Sequence, residues 1–305
     1  MSHTTAESSI LFVETQACQP LTSPTVSTSR FWYDNTSSHA DARVLLSDEY
    51  IAQIARFDPS KGIPEVVESY VKFHHRFTAA VPDKKPPKLL ICGHGSVDDP
   101  DGTLIYDAVV SHIEESLSHL ADLICVVRLG PSDQVLNALL SKAKVALQLS
   151  TREGFEVKVS EAIHKGKPVI ATRAGGIPLQ VADKKNGFLV EVGDTDAVAQ
   201  HLFDLCTNDE LYETMSKFAL QHVCDEVSTV GNALNWLYLS ATLSKGEKIS
   251  PNGRWINDMA RATAGKEYTA DENKLNREVD PEKMGGPGTH KIAHLEKVLS
   301  ERIRA

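Results

Sequence analysis

The amino-acid sequence predicts an α/β fold, a doubly wound, Rossmann-like parallel sheet with helices on both faces. Short apolar runs alternate with longer stretches of helical periodicity between residues 48 and 225. The runs are almost continuously apolar, which is typical of parallel strands that are buried on both faces. The polar motifs follow these runs, and sheets of this type bind ligands at the carboxyl ends of their strands.

Six strands are expected, at residues 50–56, 88–92, 123–127, 145–149, 168–171 and 188–192. Helices are expected at residues 64–77, 103–120, 132–142, 156–165, 194–206, 209–223, 227–244 and 290–304. In the first helix Val66, Tyr70 and Phe73 recur at the spacing of one helical face. Ser132 or Asp133 is suited to cap the third helix at its N-terminus.

Composition and charge narrow the function classes. The chain has 305 residues, of which 41% are hydrophobic and 24% charged, as in ordinary globular proteins. A formal net charge of -9 argues against a general nucleic-acid or anionic-membrane binder, although a few side chains can still form a local phosphate site. The five cysteines lack metal or redox spacing, and the sequence shows neither a secretory signal nor an apolar stretch of about 20 residues. A cytoplasmic location is expected.

Changes in composition divide the chain into three parts. Residues 1–47 are rich in Ser and Thr and lack helical or strand periodicity, which favours a loosely ordered leader. Residues 48–245 carry the α/β pattern and form the expected binding domain. Residues 246–305 are polar and punctuated by Gly and Pro, and they form the expected C-terminal extension with a terminal helix.

The first chemical motif is a pair of cationic side chains, Arg56 and Lys61, after the first expected strand. Asp58 and Pro59 break the strand between them, and the next helix begins with free N–H groups. Two cations and a helix N-terminus at one mouth of the sheet suit a phosphate or diphosphate. The alternative is a solvated surface pair.

The second motif is a pair of glutamates eight positions apart. Glu153 lies in the turn after the fourth strand, and Glu161 lies in the helix that follows. If Glu161 points along the helix toward the strand ends, the two carboxylates can accept hydrogen bonds from one polyhydroxylated ligand. The alternative is a set of charges that favour the helix N-terminus, with Glu161 exposed.

The third motif is Gly175-Gly176, after the fifth strand. A glycine pair lets the backbone approach a ligand closely, and it also suits a tight turn with positive φ. The two interpretations are compatible. The histidines, cysteines and carboxylates show no metal-ligand spacing that predicts a metal site.

Together the motifs resemble those of the retaining family 4 glycosyltransferases, which have the two-domain GT-B fold. The resemblance rests on residues 56–61, the Glu-x7-Glu spacing of residues 153–161, Gly-Lys-Pro-Val-Ile at 166–170 and the glycine pair. Residues 92–102, 149–162 and 252–259 are more narrowly similar to the fungal trehalose phosphorylases and related trehalose synthases. The likeness extends from about residue 48 to about residue 268.

The resemblance implies a role for each site residue. Arg56 and Lys61 would hold the phosphate, or a nucleotide diphosphate in relatives. Glu153 would bind hydroxyls of the transferred glucose, helped by backbone groups of Gly154 and Phe155. Glu161 would hold a ribose in relatives that use nucleotides.

The same resemblance implies a reaction, the reversible phosphorolysis of α,α-trehalose to glucose and α-glucose 1-phosphate with retention. Retention without a protein nucleophile implies front-face attack through an oxocarbenium-like ion pair. No metal or other cofactor is implied, because cationic side chains and helix N-termini stabilise the phosphate.

The chain also departs from this family, because residues 1–47 are too short to form the N-terminal domain of a GT-B enzyme. The expectation is a C-terminal half only, which would work with a missing N-terminal domain or as a homo-oligomer. Two alternatives stay open. One is a glucosyltransferase or trehalose synthase that uses UDP-glucose, and the other is a non-catalytic half-domain that needs a partner chain.

Overall fold

Six parallel strands form one sheet in the order β3-β2-β1-β4-β5-β6. The computed structural model describes residues 48–93, 101–129, 132–270 and 272–277. The expected leader at 1–47 and the expected helix at 290–304 lie outside these residues. The strands are β1 (Tyr50–Ile54), β2 (Lys88–Gly93), β3 (Ile124–Arg128), β4 (Val145–Gln148), β5 (Val169–Thr172) and β6 (Gly187–Val190).

Nine α-helices lie between and after the strands in the described ranges. They are α1 (Ile63–Ala80), α2 (Asp101–Ser116), α3 (Asp133–Lys142), α4 (Val157–His164), α5 (Ile177–Gln180), α6 (Thr195–Thr207), α7 (Asp209–Gln221), α8 (Thr229–Ser244) and α9 (Ile256–Thr263). Short 3-10 turns occur at Pro59–Lys61, Ser118–Leu120 and Asp225–Val227. The predicted doubly wound α/β class is therefore confirmed.

Some element boundaries differ from the expected ones. The first strand ends at Ile54 rather than at residue 56, and a 3-10 turn that begins at Pro59 follows it. The second helix ends at Ser116, and a separate 3-10 turn follows it. Helix α9 lies within the segment that the sequence indicated only as a polar extension.

The sheet order places side by side two loops that carry predicted site residues. Strand β1 pairs with β2 on one side and with β4 on the other, so that Ile51 lies between Leu89 and Val145. The chain order reverses between β1 and β4. In a doubly wound sheet this switch point opens a crevice at the carboxyl ends of the strands. The loops that carry Lys61 and Glu153 both begin there.

Apolar side chains cover both faces of the sheet. Ile51 and Leu89 face one layer, which contains α1, α2 and α6. Tyr50 and Leu90 face the other layer, which contains α3, α4 and α5. Alternate residues of one strand thus enter opposite cores, which explains why the strands read as continuous apolar runs.

The chain after α7 forms a smaller unit. Helix α8 packs against α9 and the Asp225–Val227 turn, while Trp236 and Leu237 of α8 are each 68% exposed. Arg277 donates to Glu226 at 2.7 Å and to Asp258 at 2.9 Å, which ties the segment at 272–277 to this unit. In the ranges that the structure covers, no helix has the length and apolar character required to cross a membrane.

Leu202→Ala in α6 is expected to lower the free energy of unfolding by about 2–5 kcal/mol, because Leu202 is fully buried between α6 and the sheet and its removal leaves a cavity. Leu237→Ala is the matched control, since this leucine is largely exposed and its change should cost less than about 0.5 kcal/mol. Urea denaturation of the two variants tests the packing. Equal losses would contradict the assigned core.

Candidate active site

Three loops meet at the carboxyl ends of β1, β4 and β5. The backbone N–H of Thr151 donates to the carbonyl of Ser60 at 2.7 Å, which joins the loop after β1 to the loop after β4. The N–H of Gly176 donates to the carbonyl of Gly154 at 2.6 Å, which joins the loop after β5 to the same segment. The predicted site residues therefore lie on loops that are fixed to one another.

A buried glutamine holds the first two loops in register. Gln53 of β1 is completely buried, and its Nε2 donates to the carbonyl of Lys61 at 2.7 Å. Its Oε1 accepts from the backbone N–H of Leu149 at 3.1 Å. Both polar atoms of the amide therefore have hydrogen-bond partners inside the core, as buried polar groups require. It fixes the position of Lys61 relative to the end of β4.

Gly62 allows the close approach of these loops. Its φ is +61°, in the left-handed region, and a β-carbon there would lie 1.9 Å from the carbonyl oxygen of Leu149. Only glycine fits both constraints. Lys61 is thereby placed at the end of its 3-10 turn and directed toward the loop after β4.

The ammonium of Lys61 is the centre of the site. The Lys61 side chain is only 10% exposed, and its Nζ donates to Oε2 of Glu153 and, at 2.6 Å, to Oε2 of Glu156. Burial lowers the pKa of Lys61, but the two carboxylates outweigh it and the pKa lies above its usual value. Lys61 is therefore a positive charge that is held by the protein before any ligand contacts it.

Glu156 is a member of this ion cluster that the sequence motifs did not single out. Its carboxylate shares Lys61 with Glu153, accepts from Gln148 Nε2 at 3.1 Å and caps the N-terminus of α4 through Lys158 N at 3.2 Å. A signal was present in the sequence, because Gln148 is a polar residue at the end of an otherwise apolar strand. Buried amides of this kind need a polar partner.

Burial and charge act differently on the two glutamates. Burial raises the pKa of Glu153, but the contact with Lys61 outweighs it and keeps the pKa below the usual value. Burial also raises the pKa of Glu156, and here the neighbouring Glu153 adds to the effect, so that the pKa lies above the usual value. Glu156 is therefore the carboxyl group of this pair that binds a proton more readily.

Arg56 lies at the rim of the site. Its side chain is 50% exposed, and the Nη2 atom lies 3.9 Å from Oδ2 of Asp58. Asp58 caps the 3-10 turn by accepting from the backbone N–H of Ser60 at 2.8 Å. The hydroxyl of Ser60 is the main cause of the lowered pKa of Asp58. Arg56 and Lys61 thus share a loop, with one side chain exposed and the other buried.

Glu161 lies on α4, about one turn from the start of the helix. Its carboxylate accepts from Lys158 Nζ at 2.7 Å and is 33% exposed. The sequence indicated two carboxylates at this site, Glu153 and Glu161. In the structure Glu153 shares its cation with Glu156, and Glu161 pairs with another lysine.

The glycine pair packs against the backbone of the loop after β4. Gly175 has φ +52°, and a β-carbon there would lie 1.6 Å from the carbonyl oxygen of Glu153. Gln180 donates to the carbonyl of Phe155, and its own Oε1 accepts from Ser160 at 2.6 Å. The pair therefore approaches the protein backbone closely, as the tight-turn interpretation expects.

A separate cavity of about 400 Å³ lies between α4, α7 and the segment at 272–277. Its walls include His164, Phe218, His222 and Lys274. Lys61, Glu153 and Glu156 do not line it, so it is distinct from the site at the strand ends. Over the described ranges, no group of three His, Cys, Asp or Glu side chains is placed to hold a metal ion.

The profile of the family described as "Glycosyl transferases group 1" matches residues 35–222, which is more than half of the chain. This chain belongs to that family. The group 1 glycosyl transferase match contains all three loops of the site.

Trehalose phosphorylases and a trehalose synthase are among the curated relatives of this group 1 chain. The trehalose phosphorylase of Pleurotus pulmonarius is 57% identical over 233 residues, which are 75% of this chain and 32% of that protein. The trehalose synthase of Pyrococcus horikoshii is 34% identical over 175 residues, 57% of this chain and 39% of that protein. The resemblance predicted from the motifs is confirmed. The chain spans about a third of the length of the trehalose phosphorylases that it matches.

Solved structures of group 1 relatives confirm the fold. Sucrose-phosphate synthase from Thermosynechococcus elongatus has a TM-score of 0.52 at 26% identity, over 67% of this chain and 49% of that chain. The TarM protein of S. aureus has a TM-score of 0.51 at 23% identity, over 63% of this chain and 35% of that chain. Such neighbours have the GT-B fold, so the predicted fold class is correct.

Lys61→Met is expected to lower the free energy of unfolding by about 3 kcal/mol near neutral pH, because two buried carboxylates lose their cation. In the wild type, Glu153 contributes stability above pH 4.5 that is lost as the pH falls through its lowered pKa. In the variant the carboxyl groups repel each other, so that their protonation restores stability. The difference between the two proteins should therefore shrink on acidification.

Urea denaturation of both proteins near neutral pH and at about pH 5 measures this difference. Lys72→Met is the control, because Lys72 forms its ion pairs with Glu68 and Asp196 on the surface. It should change stability little at either pH. A deficit of Lys61→Met that is independent of pH would show that the ion cluster is not its cause.

Proposed function

We propose that this chain is the phosphate- and glucose-binding half of a retaining glycosyltransferase of trehalose phosphorylase type. The reaction is the reversible conversion of α,α-trehalose and phosphate to glucose and α-glucose 1-phosphate. The observation that carries the proposal is the Lys61–Glu153 pair at the switch point of the sheet, in a chain 57% identical over 233 residues to a trehalose phosphorylase.

The site contains groups that suit both reactants. Lys61 and Arg56 supply positive charge for phosphate oxygens, and a positive charge near the phosphate stabilises the charge that develops in the transition state. Glu153 accepts hydrogen bonds from sugar hydroxyls, and its Oε1 already accepts from the N–H of Gly154 at 2.9 Å. Gly154 and Phe155 offer their backbone groups to the glucose.

The bond changes balance without a further reactant. A phosphate oxygen forms a bond to the anomeric carbon of one glucose unit, and the glycosidic C–O bond to the other unit breaks. The proton of the phosphate passes to the departing oxygen, and the second sugar unit leaves as glucose. Attack from the side of the departing oxygen retains the α configuration.

A transferase that uses UDP-glucose is the second candidate. The 34% identity with a trehalose synthase favours it, as does the location of Glu161 on α4, where it would hold a ribose. In that case Arg56 and Lys61 would bind the diphosphate. Gly175 and Gly176 would support the loop in either reaction.

A further part of the proposal concerns what completes the site. The chain covers 32% of the length of its 57%-identical relative, and the charged groups of the site lie on loops at one edge of the sheet. We propose that an N-terminal GT-B domain or a second copy completes the site, and that the isolated chain turns over little. We also propose residues 48–245 as the binding domain, residues 1–47 as a leader, residues 246–305 as an extension, and a cytoplasmic location.

Calorimetric titration of the full chain with inorganic phosphate, glucose 1-phosphate and UDP tests the proposal. Phosphate and glucose 1-phosphate are expected to bind to the wild type, Lys61→Ala to abolish binding and Arg56→Ala to weaken it several-fold, because each removes a charge from the anion site. Arg56 is half exposed, so its variant should fold even if Lys61→Ala does not.

Lys84→Ala is the matched control, since Lys84 lies in the loop before β2, at the opposite edge of the sheet. Its binding constants should equal those of the wild type. Preferential binding of UDP would favour the nucleotide-sugar transferase over the phosphorylase as the function of this chain. If none of the three ligands binds, both enzymatic proposals are refuted for the isolated chain.

A further inference from the structure

Glu156 has a backbone conformation that residues with a β-carbon rarely adopt. Its φ is +61°, and Lys184 and Asn252 are the other non-glycine residues with positive φ in the described part of the chain. Lys184 and Asn252 are exposed, whereas the Glu156 side chain is only 9% exposed. A glycine would adopt this conformation without strain. A strained residue with a buried charge points to a function for that charge.

The carboxylate of Glu156 is fully engaged. One oxygen accepts from Lys61 Nζ at 2.6 Å and from Gln148 Nε2 at 3.1 Å. The other accepts from the backbone N–H of Lys158 at 3.2 Å. The backbone of the preceding residue, Phe155, is fixed by Gln180. The side chain is therefore held against the ammonium from several directions, although its own backbone is strained.

The charges around Glu156 do not balance. Within the described residues, Lys61 from the turn after β1 and Glu153 from its own loop are the charged groups that face it, while Gln148 of β4 is neutral. Arg56 is directed to Asp58 at the rim. With both glutamates ionised, the cluster has two negative charges and one positive charge. A phosphate dianion at Lys61 would add two more negative charges within a few ångströms.

Like charges at this distance favour protonation of one of the carboxylates. Burial already raises the pKa of Glu156, whereas the contact with Lys61 outweighs burial and keeps the pKa of Glu153 low. Lys61 has three N–H donors, so it can turn one toward a phosphate oxygen and keep a hydrogen bond to a neutral Glu156. The arrangement thus offers a place for one proton next to the anion.

We propose that Glu156 is a positioning residue that balances the charge of the phosphate site. Its carboxylate holds the Lys61 ammonium at the strand ends, and it takes up one proton from solvent when a phosphate dianion binds there. The proton returns to solvent when the anion leaves. The inference rests on the proposed function, because it takes Lys61 as the ligand of the phosphate.

Calorimetric titration of the full chain with inorganic phosphate, in buffers of different ionisation enthalpy, counts the protons taken up. The titrations are made at a pH where free phosphate is the dianion. The wild type should take up close to one proton for each phosphate bound, and Glu156→Gln close to none. Glu156→Gln keeps the shape and the hydrogen-bond acceptor, so it should still bind phosphate, and its affinity should depend much less on pH.

Glu156→Gly tests the positioning role. It removes the side-chain oxygens that hold Lys61 and should weaken phosphate binding several-fold. Lys184→Gly is the matched control, because it also places a glycine at a position with positive φ, but at an exposed site before β6. It should leave the affinity and the proton count at the wild-type values. Thermal unfolding of each variant confirms that it is folded.

The outcomes separate this inference from the proposed function. If the wild type binds phosphate but Glu156→Gln takes up as many protons, Glu156 is not the charge-balancing group. If Glu156→Gly binds phosphate as tightly as the wild type, the positioning role is wrong. If the wild type does not bind phosphate, the proposed function fails and this inference fails with it.

Discussion

The buried ion cluster of Lys61, Glu153 and Glu156 is the constraint on which the site depends. A charged group inside a protein is stable only when it has partners, and here one ammonium and two carboxylates supply them from two loops. The cluster joins the turn after β1 to the loop after β4. The positions of the candidate site residues therefore follow from the need of each buried charge for a partner, as much as from the shape of the backbone.

The strand order of the sheet places the members of this cluster near one another. Because β1 pairs with β4, the two loops begin next to each other at the switch point. Gln53 and Gln148 are buried amides on β1 and β4. Gln53 forms hydrogen bonds with both loops. Gln148 forms hydrogen bonds with two side chains of the loop after β4. The close approach also requires Gly62 and Gly175, where a β-carbon would collide with a carbonyl oxygen.

The ion cluster lies in a chain that matches only part of its longer relatives. Helix α8 exposes Trp236 and Leu237. The last described segment is tied back by Arg277, which binds Glu226 and Asp258. In the group 1 glycosyl transferases that this chain resembles, the matched part is a third to a half of the molecule. The proposed second domain would complete a site whose charged groups are already held in place by this chain.

The sequence by itself determined the fold class, because six apolar runs between helical stretches can be buried only as a parallel sheet. It also determined that cations and carboxylates follow particular strands, and the motif at 153–161 led to the correct family. Only the tertiary structure decided that Glu156 shares Lys61 with Glu153, and that Glu161 pairs with Lys158. The physical reason is that a side chain's partner depends on which loops the strand order brings together and on the left-handed backbone of Glu156, and neither follows from residue spacing.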